Sequence, residues 1–254
     1  MPRLLVINPN TTQAITDKVA DAIRALAPAD VEIKTRTGAF GPRYIASRAT
    51  FAIAGHAALD AFARDRSGAE AVLLACFGDP GLDALREVST APVIGLVEAA
   101  VAEASKDERR YSIVTGGLLW RDMLMETLKT RGLDPYLASV LTVAPTGGQI
   151  AADPEGALIT LVQACARALA DDGADAVILG GAGLVGLAAK IQARVGAPVI
   201  CSVEAGAKAA FAAIRAGAAN ALHTKDAPRI DSVGVSDDLS ELLAGRSSAH
   251  DGDS

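Results

Sequence analysis

The stretch AEAVLLACFGDPG, residues 69–81, decides the fold of this chain. Residues 71–75 form an unbroken apolar run, which is typical of a short parallel strand covered on both faces. Cys76 follows at the carboxyl end of this strand, and Asp79-Pro80 predicts the start of a helix with Asp79 as its N-cap. Ligands of open α/β sheets bind beyond the carboxyl ends of strands, and a helix N-terminus favours thiolate over thiol. We therefore expect Cys76 to lie in a binding site, with its pKa lowered toward neutrality.

The chain repeats this unit in its second half. Residues 174–186, ADAVILGGAGLVG, match residues 69–81 position for position, and the match places Gly181 opposite Cys76. Two similar halves usually face each other across a pseudo-twofold axis, with the site between them. The repeat therefore predicts a cleft with position 76 on one side and position 181 on the other.

Strands alternate with helical segments in both halves, which predicts the α/β class with parallel sheets. We expect two similar lobes, each with a parallel four-stranded sheet flanked by helices, related by a pseudo-twofold axis around an interlobe active site. The charged patch KDERR at residues 106–110 marks the boundary between them. The expected division is a first lobe at residues 1–108, a second lobe at 109–205, a C-terminal helix and strand packing back on the first lobe at 206–231, and a disordered tail at 232–254.

The composition and charge of the chain exclude several classes of binding partner and indicate a cellular compartment. The chain has 254 residues, half of them hydrophobic, which suffices for a core in one large domain or two small lobes. A net charge of −6 without a basic cluster argues against a nucleic-acid partner. No apolar run approaches the roughly 20 residues that span a bilayer, and the N-terminus lacks signal-peptide features, so we expect a cytoplasmic protein without a membrane partner. Three cysteines without a CxxC motif argue against a disulfide framework or a structural zinc site.

Five motifs carry a resemblance to a known family. They are INPNTT at residues 7–12, GPRYI at 41–45, ACFGDPGL at 75–82, PVIGLVEA at 92–99 and LGGAGL at 179–184. Together they resemble the aspartate/glutamate/hydantoin racemase superfamily, and within it the hydantoin and allantoin racemases. The resemblance covers nearly the whole chain except the tail. It implies a racemase without metal or cofactor, and two cysteines on opposite faces of a small-molecule substrate. We also expect a homo-oligomer.

The resemblance assigns site residues position by position. Cys76 matches the first catalytic cysteine, whereas Gly181 stands where the second cysteine is expected. The positions that match substrate contacts are Asn10, Tyr44, Thr115, Gly116 and Gly117. Backbone N–H groups that can hold an enolate oxygen are expected in the turns containing Phe77 and Gly78, Gly116 and Gly117, and Gly181 and Ala182. Ala46 is a departure, because many relatives carry an acidic residue there.

Racemisation next to a carbonyl needs a base on one face of the carbon and an acid on the other. The C5–H of a hydantoin is weakly acidic, because the adjacent carbonyl holds the carbanion as an enolate, and a thiolate is a suitable base. We therefore predict cofactor-independent racemisation of a 5-substituted hydantoin or allantoin through Cys76. For Cys76 itself, a buried structural role is the alternative.

The glycine at position 181 leaves three alternatives open. The first is that water or Cys201, which ends a strand of the second half, supplies the missing acid. The second is a one-thiol decarboxylase or isomerase that resembles arylmalonate decarboxylase. The third is a non-catalytic protein that senses a small molecule.

Overall fold

The computed structural model describes residues 1–224 and 229–245. Within these residues, eight strands form two four-stranded sheets in which all strand pairs are parallel. The first sheet has the order β2-β1-β3-β4, with β1 Arg3–Asn8, β2 Glu32–Thr37, β3 Ala71–Leu74 and β4 Val93–Gly95. The second has the order β6-β5-β7-β8, with β5 Tyr111–Gly116, β6 Leu137–Val143, β7 Ala176–Gly180 and β8 Val199–Cys201. The predicted α/β class and the two matching sheets are confirmed.

Helices flank both sheets. Those of the first half are α1 Gln13–Arg24, α2 Arg48–Asp65, α3 Leu82–Val88 and α4 Leu96–Ala104. Those that follow are α5 Trp120–Thr130, α6 Gly147–Ala152, α7 Pro154–Ala170, α8 Ala188–Val195, α9 Ser202–Arg215 and α10 Asp237–Leu243. None of the helices in the described residues has the length and apolar character needed to cross a membrane.

The central strands lie fully inside the protein. All four residues of β3 are buried, as are the last five residues of β1, which explains why both strands read as continuous apolar runs. Helices α4 and α9 pack against each other, and each also contacts the sheet of the other half: α9 contacts β3 and β4, and α4 contacts β7 and β8. The two helices approach each other closely: a Cβ at Gly206 of α9 would lie only 2.6 Å from the Leu96 side chain of α4. One hydrophobic core therefore extends through both lobes.

The C-terminal segment differs from the prediction. The strand expected within residues 206–231 is absent from the part of that range that the structure describes, where turns and coil follow α9. Within the expected disordered tail, residues 237–243 form α10, which packs on α2 and buries Leu239 to 2 % exposure. Ser236 caps this helix by accepting the Leu239 N–H, and Leu242 packs against the first-lobe core. Two leucines three residues apart give the polar segment one apolar face. Residues 225–228 and 246–254 of the predicted C-terminal regions lie outside the described residues.

Candidate active site

Cys76 lies at the carboxyl end of β3, and 8 % of the residue is exposed. Its carbonyl accepts a hydrogen bond from the Asp79 N–H at 3.0 Å, which closes a tight turn. Gly78, with a φ of 134°, passes beneath the Trp120 ring, where a Cβ would come within 2.6 Å of the indole. Trp120, the first residue of α5, also packs edge-to-face on Phe51 at 6.3 Å between ring centroids. The loop that carries the thiol is thus fixed against the second lobe.

The predicted role of Asp79 as the cap of the following helix is wrong. Helix α3 begins at Leu82, and its N-cap is Gly81, with a φ of 80°. The Asp79 carboxylate instead accepts the Val97 N–H at 3.1 Å, so that it caps the first turn of α4. Gly95, the N-cap residue of α4, leaves the space that the carboxylate occupies. The motif Asp-Pro predicted a cap correctly but could not reveal which helix receives it.

The predicted lowering of the Cys76 pKa is also wrong. Burial raises the pKa of the Cys76 thiol, and the Asp79 carboxylate raises it further by repelling a thiolate. Helix α3 begins only at Leu82, so its N-terminus is separated from the sulfur by the intervening turn. Burial likewise raises the pKa of Asp79 to about 7, against the hydrogen bond from Val97, which lowers it. The thiol is therefore protonated at neutral pH in this arrangement.

Asn10 organises the loop after β1. The residue is 7 % exposed, and its Oδ1 accepts hydrogen bonds from the Thr12 N–H at 2.9 Å and from the Asn8 side chain at 3.1 Å. The Thr12 hydroxyl in turn donates to the Arg43 carbonyl at 2.6 Å, which joins the INPNTT loop to the GPRYI loop. These contacts give Asn10 a structural role at the start of α1, and its predicted contact with substrate stays a prediction.

Tyr44 belongs to the first lobe, but its hydroxyl is held by the second. The Tyr44 hydroxyl accepts the Gly147 N–H at 2.7 Å, and the nearby Trp120 indole lowers the pKa of the phenol. The same indole donates to the Ile45 carbonyl at 3.2 Å, so the GPRYI loop is anchored on α5. Burial raises the pKa of Tyr44, and the nearby Cys76 raises it further. Two predicted site residues, Tyr44 and Cys76, are thus near enough for the charge of one to affect the pKa of the other.

Gly181 lies in the turn after β7, on the second-lobe side of the site. A Cβ at Gly181 would meet only the Leu184 side chain at 3.3 Å and the Thr115 hydroxyl at 3.8 Å, so position 181 leaves unfilled space. The Thr115 hydroxyl donates to the Gly180 carbonyl at 2.7 Å. The Phe77 ring lies so close to Gly180 that a side chain there would overlap it. The loop of Cys76 and the turn of Gly181 therefore face each other in direct contact.

Two of the predicted enolate donors are already engaged. The Gly181 N–H donates to the Ser202 hydroxyl at 3.2 Å, and the Gly117 N–H donates to the Val143 carbonyl at 2.9 Å. A group that holds a partner of its own is a weaker donor to an enolate. The remaining predicted donors stay predictions; they are Phe77, Gly78, Gly116 and Ala182.

Cys201 ends β8 directly before α9, and it is buried. Burial raises the pKa of its thiol, while hydrogen bonds from the backbone of Glu204, Val203 and Gly186 lower it. The role of Cys201 as the missing acid stays a prediction. Among the described residues, no group of three or more His, Cys, Asp or Glu side chains is arranged to hold a metal ion.

Ion pairs between the lobes lie behind the Cys76 loop, and no local sequence motif predicts them. Arg131, directly after α5, pairs with Asp83 at 3.0 Å and with Glu98 at 2.8 Å. Arg48 pairs with Glu126 nearer the surface. A cavity of about 310 Å³ lies between these pairs. Its walls include Phe51, Gly78, Asp79, Leu82, Met123 and Thr127.

Comparisons with known proteins agree with this geometry. Residues 4–210 match the family model described as Asp/Glu/Hydantoin racemase. The hydantoin racemase of Paenarthrobacter aurescens is 36 % identical over 219 residues, which cover 85 % of this chain and 92 % of that protein. The hydantoin racemase of Pseudomonas sp. (strain NS671) is 33 % identical over 207 residues, 81 % of this chain and 83 % of that protein. The crystal structure of allantoin racemase from Pseudomonas fluorescens superposes with a TM-score of 0.85 at 29 % identity, covering 90 % of this chain and 99 % of that one.

Proposed function

The chain belongs to the Asp/Glu/hydantoin racemase family, and from this premise we propose that it racemises a 5-substituted hydantoin or allantoin without a cofactor, using Cys76 as the proton-transferring thiol. Racemase activity follows from the similarity to the hydantoin racemases, which extends over most of both chains. The observation that carries the role of Cys76 is its position at the end of β3, facing the turn of Gly181 through the Phe77 contact with Gly180.

The raised pKa of the Cys76 thiol suits a weak carbon acid. A thiolate with a high pKa is scarce at neutral pH, but it is a stronger base once formed. The C5–H of a hydantoin needs a strong base, because its acidity depends on a single adjacent carbonyl. We therefore expect the rate to rise with pH, because the reactive form of Cys76 is the deprotonated one.

One observation favours a second candidate function. Gly181 offers no side chain to protonate the far face of the substrate, and its neighbours leave the space empty. One-sided protonation after loss of CO₂ from a disubstituted malonate would need only the thiol of Cys76. A small-molecule sensor on the same scaffold would need neither step.

Incubation of each enantiomer of a 5-substituted hydantoin in D₂O, followed by polarimetry and NMR, tests the proposal. Inversion with deuterium uptake supports a racemase, uptake with retention supports one-sided chemistry, and CO₂ release from malonates supports a decarboxylase. Cys76→Ser should abolish exchange, whereas Cys165→Ser should preserve it, because Cys165 lies buried within α7. Exchange that survives Cys76→Ser would show that another group is the base. Tight binding without turnover would indicate a sensor.

A further inference from the structure

We propose that the Tyr44 phenol transfers the proton on the second-lobe side of the substrate, the role for which Gly181 has no side chain. This inference rests on the proposed racemase function and names the second group that such a reaction requires. Three observations support it: the position of the Tyr44 hydroxyl, the hydrogen bonds that it makes, and the hydrogen bonds that the neighbouring polar groups already make with other partners.

The Tyr44 hydroxyl lies on the wall of the second lobe. Its oxygen is 2.7 Å from the Gly147 nitrogen, and a Cβ at position 147 would lie 2.5 Å from it, so the approach depends on a glycine there. The Gly147 backbone packs against Gly183, because the Gly147 carbonyl occupies the space that a side chain at position 183 would need. Gly183 follows Gly181 by two residues. The phenol oxygen is therefore fixed beside the turn that faces Cys76.

The hydrogen bonds of Tyr44 leave its proton available. A phenol has one O–H donor, and its oxygen also accepts. The Gly147 N–H donates to the Tyr44 oxygen, so this bond uses the oxygen as an acceptor and leaves the O–H free to donate. The Gly147 N–H also stabilises the negative charge that a phenolate carries after it gives up its proton, and the nearby Trp120 indole lowers the pKa of Tyr44 in the same sense.

The neighbouring polar groups on this wall are engaged elsewhere. The Thr115 hydroxyl donates to the Gly180 carbonyl, and the Gly181 N–H donates to the Ser202 hydroxyl. Cys201 is buried at the end of β8, where it pairs in register with Leu179 and not with Gly181. Tyr44 thus brings an ionisable proton to this wall, with its oxygen held 2.7 Å from the Gly147 nitrogen.

The reaction balances with these two groups alone. The Cys76 thiolate takes the C5 proton from one face, and the electron pair of the broken C–H bond moves into the carbonyl to form the enolate. The enolate returns this pair to C5 to form a C–H bond with the Tyr44 proton on the opposite face. The products are the inverted hydantoin, the Cys76 thiol and the Tyr44 phenolate. A turnover in the reverse direction, or proton exchange with water, restores the starting forms.

The test is Tyr44→Phe with single-enantiomer 5-substituted hydantoins in D₂O. Phenylalanine keeps the ring but lacks the hydroxyl that donates the proton, so we expect the rate of inversion to fall by about 100-fold or more. Deuterium uptake with retention, which needs only Cys76, should stay within about threefold, since general acid catalysis on the far face is not part of that exchange.

A matched pair of glycine variants probes the position of the hydroxyl. Gly147→Ala should displace it and reduce inversion selectively, as in Tyr44→Phe. Gly148→Ala should leave inversion unchanged, because its Cβ would make an ordinary contact with the ring at 3.5 Å.

The outcomes that contradict the role of Tyr44 are distinct. Equal loss of inversion and exchange in Tyr44→Phe would show that Tyr44 only orients the substrate, and unchanged inversion would show that it is not the donor; either overturns the proposal. Absence of both exchange and inversion in the unmodified protein would overturn the proposed function itself.

Discussion

Replacing Gly181 by cysteine tests whether a thiol at this position faces the substrate. The new Cβ would lie 3.3 Å from a terminal methyl of Leu184, which can move by the few tenths of an ångström required. The backbone is the larger obstacle, because Gly181 has a φ of 129° that other residues rarely adopt. Such strain costs about 1–3 kcal/mol. For a protein of this size, a loss of about 2 kcal/mol lowers the melting temperature by roughly 4–8 °C.

The functional gain should exceed this loss of stability. A positioned acid or base contributes about 100-fold or more to proton transfer. In Gly181→Cys we therefore expect faster inversion of single-enantiomer hydantoins at 25 °C, measured by polarimetry. We also expect inversion in this variant to become insensitive to Tyr44→Phe, because the new thiol serves the same face.

Gly181→Ala is the matched control, since it carries the same backbone strain without the sulfur. Both variants should lose a similar amount of thermal stability, measured by circular dichroism, but only the cysteine variant should invert substrate faster. An equal rate in the two folded variants would refute the assignment of position 181 to the substrate face.

Three further predictions concern the groups around the thiol and between the lobes. Asp79→Asn keeps an acceptor for the N-terminus of α4 but removes the negative charge that raises the pKa of Cys76. Iodoacetamide should therefore alkylate Cys76 faster at pH 8 in this variant. An unchanged rate would contradict the repulsion between the Asp79 carboxylate and the Cys76 thiolate. The pKa of Asp79 is about 7 in the folded state and about 3.9 in the unfolded state, so the folded state holds the Asp79 proton more tightly. The free energy of unfolding should therefore fall as the pH rises from 4 to 7, by at most about 4 kcal/mol. Urea titrations of the unmodified protein should show this slope, and Asp79→Asn should lack it. Arg131→Ala should lower the free energy of unfolding by about 1–2 kcal/mol, because it removes a mostly buried guanidinium that pairs with the partly buried Glu98, although Glu98 keeps its pair with Arg86. Arg48→Ala should lower the free energy of unfolding much less, because both Arg48 and its partner Glu126 are exposed to water. Equal losses in the two variants would show that burial does not determine how much an ion pair contributes to stability.

Local patterns in the sequence carried the prediction of the sheets and of the position of Cys76. The apolar run at residues 71–75 and its repeat at 176–180 could be recognised because a buried parallel strand is apolar along its whole length. Two similar lobes followed from the repeat alone. These features depend on neighbours in the sequence, and they required no knowledge of the tertiary fold.

Features that depend on distant residues were missed. Asp79 caps a helix that begins 17 residues later, and no local motif distinguishes that partner from the nearer one. The raised pKa of Cys76 arises from burial, which a strand-end position alone does not reveal. The pairing of Arg131 with Glu98 joins the two lobes and has no signature in either segment. The prediction for residues 232–254 relied on polar composition and overlooked the pair of leucines in α10.

The reciprocal packing of α4 and α9 determines how the protein can be divided. Each helix covers the sheet of the opposite half, so a fragment ending near residue 108 would expose the apolar surface of β3 that α9 covers. The two half-chains should therefore aggregate when produced separately and recover structure only when they are produced together. For the same reason, a wide rotation of one lobe away from the other would separate the two halves of the shared core, so the lobes should move little relative to each other.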